Sequence, residues 1–157
     1  MAFDRIVRER ETQVLRIAYR ILGNWADAED VAQEVFVKLH RHGLDFPNEA
    51  AMGGWIHRVT VNLCLDRARS AKPMAEVTEI VSEAASPEGA VLIAERKERL
   101  QRALLSLPEK ERAAVVLREI EGLETKEVAE ILGSTEGTVR SQVSRAIDRL
   151  REILERV

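Results

Sequence analysis

Apolar residues recur every three or four positions along nearly all of this 157-residue chain, a spacing that suits helices and not strands. Val7, Val14, Ile17, Ala18, Ile21 and Leu22 mark a first helix, closed by Gly23-Asn24. A second runs from about Trp25 to Arg41, with Val31, Val35, Phe36 and Leu39 on one face. Asp27, Glu29 and Asp30 stand in its first turns, where negative charge suits the helix dipole. Gly43 to Gly54 is read as a break, since it contains Pro47 and the pair Gly53-Gly54. A third helix follows from about Trp55 to Arg69, buried through Ile56, Val59 and Leu63 with Cys64 beside them. No strand alternation and no internal repeat stand out.

The character then changes. Residues 71–92 hold one basic and four acidic residues, whereas 1–70 hold ten of each and 93–157 thirteen of each. The whole net charge of −3 therefore lies in the stretch 71–92, which also carries Pro73 and Pro87 and no sustained period. It reads as a flexible acidic linker. Beyond it, Val91 to Ser106 is helical and stops before Leu107-Pro108. Pro108 is placed to open a helix over Glu109 to Ile120, and a short helix from about Thr125 stops at Gly133. The last helix starts near Thr135 and runs to the end. The expected architecture is all-α: two small helical domains, 1–70 and 93–157, joined by the linker 71–92.

Several function classes lose ground on composition. No run of about 18 apolar residues exists, so no membrane insertion is expected. Met1 to Arg10 carries charges throughout and lacks the apolar stretch of a secretory signal, which points to the cytoplasm. The single cysteine, Cys64, cannot form an internal disulfide and reads as a packed residue. His40 and His42 lack a carboxylate or cysteine companion, so no metal site is expected, and no catalytic signature or cofactor motif appears. An enzyme is disfavoured.

The stretch "LGSTEGTVRSQVSRA" (Leu132 to Ala146) carries the strongest local signal. Val128, Ile131 and Leu132, a glycine-centred turn, then Val139, Val143, Ala146, Ile147 and Leu150 give two amphipathic helices meeting at Gly133. That is a helix-turn-helix pattern, in which the first helix packs over the second and leaves its far face for a DNA groove. Thr135 is the candidate N-cap. The free face is read as Arg140, Ser141, Gln142, Ser144, Arg145 and Arg149. From Gly137 to Arg151 there are four arginines against Asp148 alone. Arginine suits guanine edges, glutamine adenine, and serine a base or a phosphate. A solvated charged face is the competing reading. An acidic chain is not excluded, because only charge within a Debye length of about 8 Å acts on the DNA. Such a chain should nonetheless bind DNA weakly unaided.

Two stretches together then carry a family resemblance. "DAEDVAQEVFVKLHRH" (Asp27 to His42) with "WIHRVTVNLCLDRAR" (Trp55 to Arg69) resembles the promoter-melting domain of bacterial sigma factors. "LPEKERAAVVLREIEGLETKEVAEILGSTEGTVRSQVSRAIDRLRE" (Leu107 to Glu152) resembles their −35-reading domain. The order, the linker and the lack of a middle domain are similar to the extracytoplasmic-function (ECF) group of the sigma-70 family. The resemblance implies a dissociable specificity subunit of RNA polymerase that reads −35 and −10 promoter elements and promotes strand opening. It implies that core polymerase supplies the missing DNA affinity, two tethered weak contacts acting by effective concentration.

The resemblance also assigns roles to residues. Asp30, Gln33, Glu34 and Lys38, away from the apolar stripe of the second helix, would dock on a coiled coil of the polymerase β′ subunit. Arg58, Asn62, Arg67 and Arg69 would meet the −10 element, Asn62 at a base and the arginines at phosphates. The loop "GLDFPNEAAMGG" would form a pocket for a flipped base, an extrusion costing a few kcal/mol. Phe36 and Trp55 are read as core. Thr138, Arg140, Ser141, Gln142, Ser144, Arg145, Arg149 and Lys126 would meet the −35 element. His40 and Thr60 depart from the family pattern, as does Glu124, which leaves Thr125 to cap the short helix. Gln142 and Asp148 stand where basic residues are usual. An anti-sigma partner is the family expectation, and with no extension after Val157 control is expected to come from outside the chain or through its expression. Two rivals stay open: a regulator that binds an operator alone, and a sigma-like adaptor that binds polymerase without opening promoters.

Overall fold

The computed structural model describes residues 2–70 and 88–155, and these are helical with no strand among them. Three helices form the N-terminal bundle: α1 (Ala2–Leu22), α2 (Trp25–His42) and α3 (Glu49–Ser70). Four form the C-terminal one: α4 (Glu88–Leu105), α5 (Glu109–Val115), α6 (Thr125–Leu132) and α7 (Glu136–Glu155). The linker reading lies outside the described residues up to 87. From Glu88 the chain is already helical, so the assignment of 88–92 to the linker is corrected.

Each junction follows from local chemistry. Gly23, at φ +75°, ends α1 in a left-handed residue whose N–H bonds Tyr19 O at 2.7 Å. Asn24 then caps α2, its Oδ1 accepting from Asp27 N–H at 3.1 Å. The expected break at Gly43 to Gly54 is shorter than read. Asn48 Oδ1 accepts from Ala51 N–H at 2.8 Å, and α3 begins at Glu49 and runs straight through Gly53-Gly54. A cap outside the glycines and burial of Gly53 beneath the Arg10 guanidinium outweigh a glycine penalty of about 1 kcal/mol per residue.

After α5 the helix widens into a π turn over Val116–Ile120, and Glu121 N–H bonds Val116 O at 2.9 Å. Glu124, not Thr125, occupies the N-cap of α6; Thr125 is the first helical residue. Glu127 reaches back to accept from Glu124 N–H at 3.4 Å. Gly133 at φ +63° closes α6, and Thr135 Oγ1 accepts from Thr138 N–H at 3.1 Å to cap α7 as read.

The two bundles pack against each other. One continuous apolar cluster runs from Val14, Ile17 and Val61 to Leu117, Val128 and Val139. Cys64 is fully buried within it, and burial pushes its thiol pKa up to about 12, so it is inert packing as expected. Arg112 ties the ends of three segments together. Its Nε donates to Leu104 O at 2.9 Å, Nη1 to Ile21 O at 2.6 Å, and Nη2 to Leu105 O at 3.1 Å and Leu107 O at 2.8 Å. Those of Ile21, Leu104 and Leu105 stand at helix ends, where carbonyls run short of partners, and that of Leu107 in the turn that follows. Replacing Arg112 by Met strips the guanidinium from all four, of which Leu104 O keeps the Leu107 N–H at 3.1 Å, and should cost about 2–4 kcal/mol in urea unfolding; a loss below about 0.5 kcal/mol would show the carbonyls to be hydrated anyway.

His57 supplies a pH dependence. It is buried, and its Nε2 has no hydrogen-bond partner among the described residues. Burial holds its pKa below the ordinary value; Arg10 of α1 acts in the same direction, and Glu121 and Glu127 oppose them. Arg58 and Glu130 line the same small cavity. The folded protein thus keeps His57 neutral while the unfolded chain takes up a proton below about pH 6.5. Above that pH the group contributes no slope; below it stability falls as pH drops. The urea midpoint should decline from about pH 7 to about pH 5, and His57→Gln should flatten that decline. An equal slope in the variant would assign the decline to other groups.

Candidate nucleic-acid interface

The closing helices have helix-turn-helix geometry. Val139, Val143 and Ala146 of α7 are buried, and Val128, Ala129 and Ile131 of α6 are buried with them. That leaves Thr138, Arg140, Ser141, Ser144, Arg145 and Arg149 exposed on α7, and Lys126 exposed at the start of α6. Gln142 departs from the expectation. It is half-buried, with Oε1 enclosed and without a hydrogen-bond partner among the described residues. At 3.6 residues per turn it sits one step from Val139 and Val143 on the flank of the buried stripe, so it is not on the free face.

The arginines of α7 are not equivalent. Arg145 Nε lies 3.2 Å from Glu111 Oε1, and Arg149 Nε lies 3.3 Å from Glu111 Oε2. Glu111 is itself buried, with 9% of its side chain exposed, so these pairs are shielded from solvent screening on one side. Arg140 has no ion pair among the described residues. Counting Glu111 with Asp148 lowers the local excess over Gly137 to Arg151 from +3 to +2. No sequence signal marked Glu111, which lies 34 residues before Arg145 and meets it only because α5 packs across α7.

On α3, Arg58, Asn62 and Arg69 fall on one side of the helix and are exposed, whereas Arg67 lies on the opposite side, toward α2. Arg67 Nη1 stands 3.7 Å from both Asp27 and Asp30. The structure therefore brings together three of the four −10 candidates and pairs the fourth with a polymerase candidate. Arg69 is engaged as well, with Asp66 at 3.0 Å and Glu109 of α5 at 3.6 Å.

Along α2, Asp30, Gln33 and Lys38 are exposed and Glu34 is half-buried. Phe36 is buried as read. Gln33 also borders an apolar hollow of about 710 Å³ between α1 and α2, with Phe3, Val7, Val37 and His40 on its walls. The periodicity hid this hollow, because Val37 and His40 fall outside the buried stripe. Trp55 is only half-buried. It packs against the apolar cluster, and its ring meets His42 at 4.9 Å and Phe46 at 6.0 Å, while His42 stacks on Phe46 at 4.9 Å. This aromatic group closes the α2–α3 connection, of which only Gly43 to Asn48 is non-helical. The loop read as a base pocket is therefore half its expected length.

The comparisons with known proteins rest on both bundles. Residues 6–73 match the family Sigma-70 region 2, and residues 97–150 match Sigma-70, region 4. The chain belongs to the sigma-70 family. Among its relatives, ECF RNA polymerase sigma factor SigM of Mycobacterium tuberculosis is 37% identical over 158 residues, spanning 98% of this chain and 77% of the relative. SigW of Bacillus subtilis, also an ECF sigma factor, is 34% identical and spans 98% and 89%. The fold is shared with RpoE from Bartonella quintana, solved in complex with the anti-sigma factor NepR. That match has a TM-score of 0.74 at 19% identity and covers 99% of this chain and 98% of that one. CnrH, solved with the cytosolic domain of CnrY, matches with a TM-score of 0.73 at 23% identity, over 98% and 88%. The chain is thus an ECF-type sigma factor, a transcription initiation factor built from a region 2 bundle (α1–α3) and a region 4 bundle (α4–α7). No helix among the described residues is long and apolar enough to cross a membrane.

Proposed function

We propose that this sigma factor docks on core RNA polymerase through the exposed side of α2 and reads the −35 element with α7. The face of α3 carrying Arg58, Asn62 and Arg69 then holds the −10 strand. The observation that carries this reading is the exposed, unpaired Arg140 beside Ser141 and Ser144 on the outer side of a capped helix-turn-helix. Short serines and a long arginine in that position suit base edges and phosphates of a major groove. Arg145 and Arg149, anchored through Nε by Glu111, act as phosphate contacts with a fixed stance, and Lys126 and Thr138 bind phosphate at the other edge. Gln142 drops out as a base reader, being half-buried.

The polymerase face is Asp30, Gln33, Glu34 and Lys38 against the β′ coiled coil. Asp30 shares Arg67 with Asp27, so Arg67 shapes that face rather than the −10 site. The protein acts in the cytoplasm without catalytic chemistry, metal or cofactor. An anti-sigma protein is the proposed regulator, as in the NepR complex of a structural neighbour. With net charge −3 the free protein has little non-specific DNA affinity, and polymerase supplies it.

Core-dependent transcription in vitro from a genomic fragment library tests the whole reading: transcripts sharing upstream elements are expected only with this protein present. Tight core binding without transcripts would favour an adaptor instead. Within that assay Arg140→Ala should lower −35 discrimination by about 1–3 kcal/mol, and unchanged selectivity would remove Arg140 from the groove. Reversing the charge of Asp30 and Glu34 together should weaken core binding by about tenfold or more, as for a desolvated charged pair. An unaltered affinity in a pull-down would move the polymerase contact off α2.

A further inference from the structure

A cleft of about 550 Å³ opens between α1, the start of α2 and α4. Two aromatic rings form part of its wall. Trp25, the first residue of α2, stacks on Tyr19 of α1 with ring centroids 4.2 Å apart and planes 9° from parallel, and it remains 48% exposed. Tyr19 is buried, and its hydroxyl has no hydrogen-bond partner among the described residues. Burial raises the pKa of that hydroxyl; Arg20 opposes the rise and Glu98 adds to it, so the group lies near the charges of the cleft. Arg16, Arg20 and Lys97 line the cleft together with Glu98 and Gln101. Two of these charges are already engaged: Arg16 with Glu121 through two bonds of 2.8 Å, and Glu98 with Arg102 at 3.9 Å. Arg20 and Lys97 have no carboxylate partner among the described residues. Arg20 donates to the Gln101 amide oxygen at 3.2 Å, and Lys97 is exposed.

We propose that this cleft binds a nucleotide, its base laid on the exposed indole of Trp25 and its phosphates held by Arg20 and Lys97. The site shares no residue with the promoter and polymerase faces, so it stands apart from those assignments. An indole already fixed by a second ring offers a π face at little ordering cost, and stacking of this kind accepts any base. The volume fits a small ligand, whose sites run to about 300–1,000 Å³. The two cations are the feature that selects an anion. In a chain of net charge −3, where Arg67, Arg69, Arg145 and Arg149 all face carboxylates, Arg20 and Lys97 flank one cleft without such partners. A ring beside two cations suits a base joined to phosphates. Gln101 is buried; it gives its amide oxygen to Arg20 and donates to Tyr19 O at 3.0 Å. It thus holds the wall and leaves base edges little to bond, so adenine and guanine nucleotides should bind alike. Arg20 and Trp25 belong to one bundle and Lys97 to the other, so a bound nucleotide touches both and favours their packed arrangement by mass action.

The test is equilibrium dialysis of the full chain against ATP and GTP, with adenosine, inorganic triphosphate and a single-stranded adenine tetranucleotide as comparison probes. ATP and GTP should bind with a Kd below about 1 mM and within about threefold of each other. Adenosine and triphosphate, each lacking one half of the contact, should bind about tenfold more weakly or less. Trp25→Ala should weaken ATP by about tenfold, and Trp25→Phe, which keeps a ring, by much less. Lys97→Glu should weaken ATP by about tenfold and leave adenosine unchanged. Arg5→Glu makes the same charge change at an exposed residue of α1, about 16 Å before Arg16, and should leave ATP binding as it was. Saturating ATP should raise the thermal unfolding midpoint of the unaltered protein and not that of Lys97→Glu. No ATP bound at about 1 mM, equal losses in Lys97→Glu and Arg5→Glu, or full affinity in Trp25→Ala would each overturn the site. Binding without a shift in midpoint would place the nucleotide elsewhere. A tetranucleotide held more tightly than ATP would assign the cleft to a strand and overturn the proposal as well.

Discussion

Helix ends are the weak points of an all-α protein, because the last carbonyls of each helix have no partner within it. Here one guanidinium gathers several of them. Arg112, rising from α5, bonds the carbonyls of Leu104, Leu105 and Leu107 at the end of α4 and of Ile21 at the end of α1. Burial alone lowers its pKa from the ordinary arginine value and Glu109 partly opposes that, yet it stays a cation throughout the accessible pH range. Through this residue the α4–α5 turn, the α1–α2 turn and the seam between the bundles become one construction. A lysine could not do it, having a single nitrogen where four carbonyls need three.

The electrostatics of the molecule divide along the same lines. The basic residues that a charge count assigns to DNA are largely engaged in ion pairs: Arg145 and Arg149 with Glu111, Arg67 with Asp27 and Asp30, Arg69 with Asp66 and Glu109. Arg140 stands apart from these pairs. A recognition helix that leaves Arg140 unpaired while anchoring Arg145 and Arg149 is suited to discrimination more than to raw affinity. Discrimination comes from oriented contacts, whereas affinity comes from neutralised phosphates. An initiation factor carried to DNA by a large polymerase needs the first and can leave the second to its partner.

The C-terminal bundle packs against both α1 and α3. The Arg16–Glu121 pair, the buried Gln101 and the unpartnered His57 all lie in the seam between bundles.

Periodicity and caps made the helices legible. Val31, Val35 and Leu39 announce α2, Asn24 and Thr135 announce where α2 and α7 begin, and Gly133 announces the turn between α6 and α7. These are local signals, decided within a few residues. The start of α3 is not legible in the same way, because two glycines look like a break and only the Asn48 cap and the Arg10 contact carry the helix through them. The candidate site divides in the same way. That α7 presents arginines is written in the sequence, and so are the two family regions. Which arginines are paired, that Gln142 is half-buried, and that the C-terminal bundle packs on α1 and α3 depend on residues as far apart as Glu111 and Arg145 or Arg16 and Glu121. Spacing along a chain constrains neighbours three or four apart; contacts across bundles are set by how whole faces pack, and only the tertiary structure decides them.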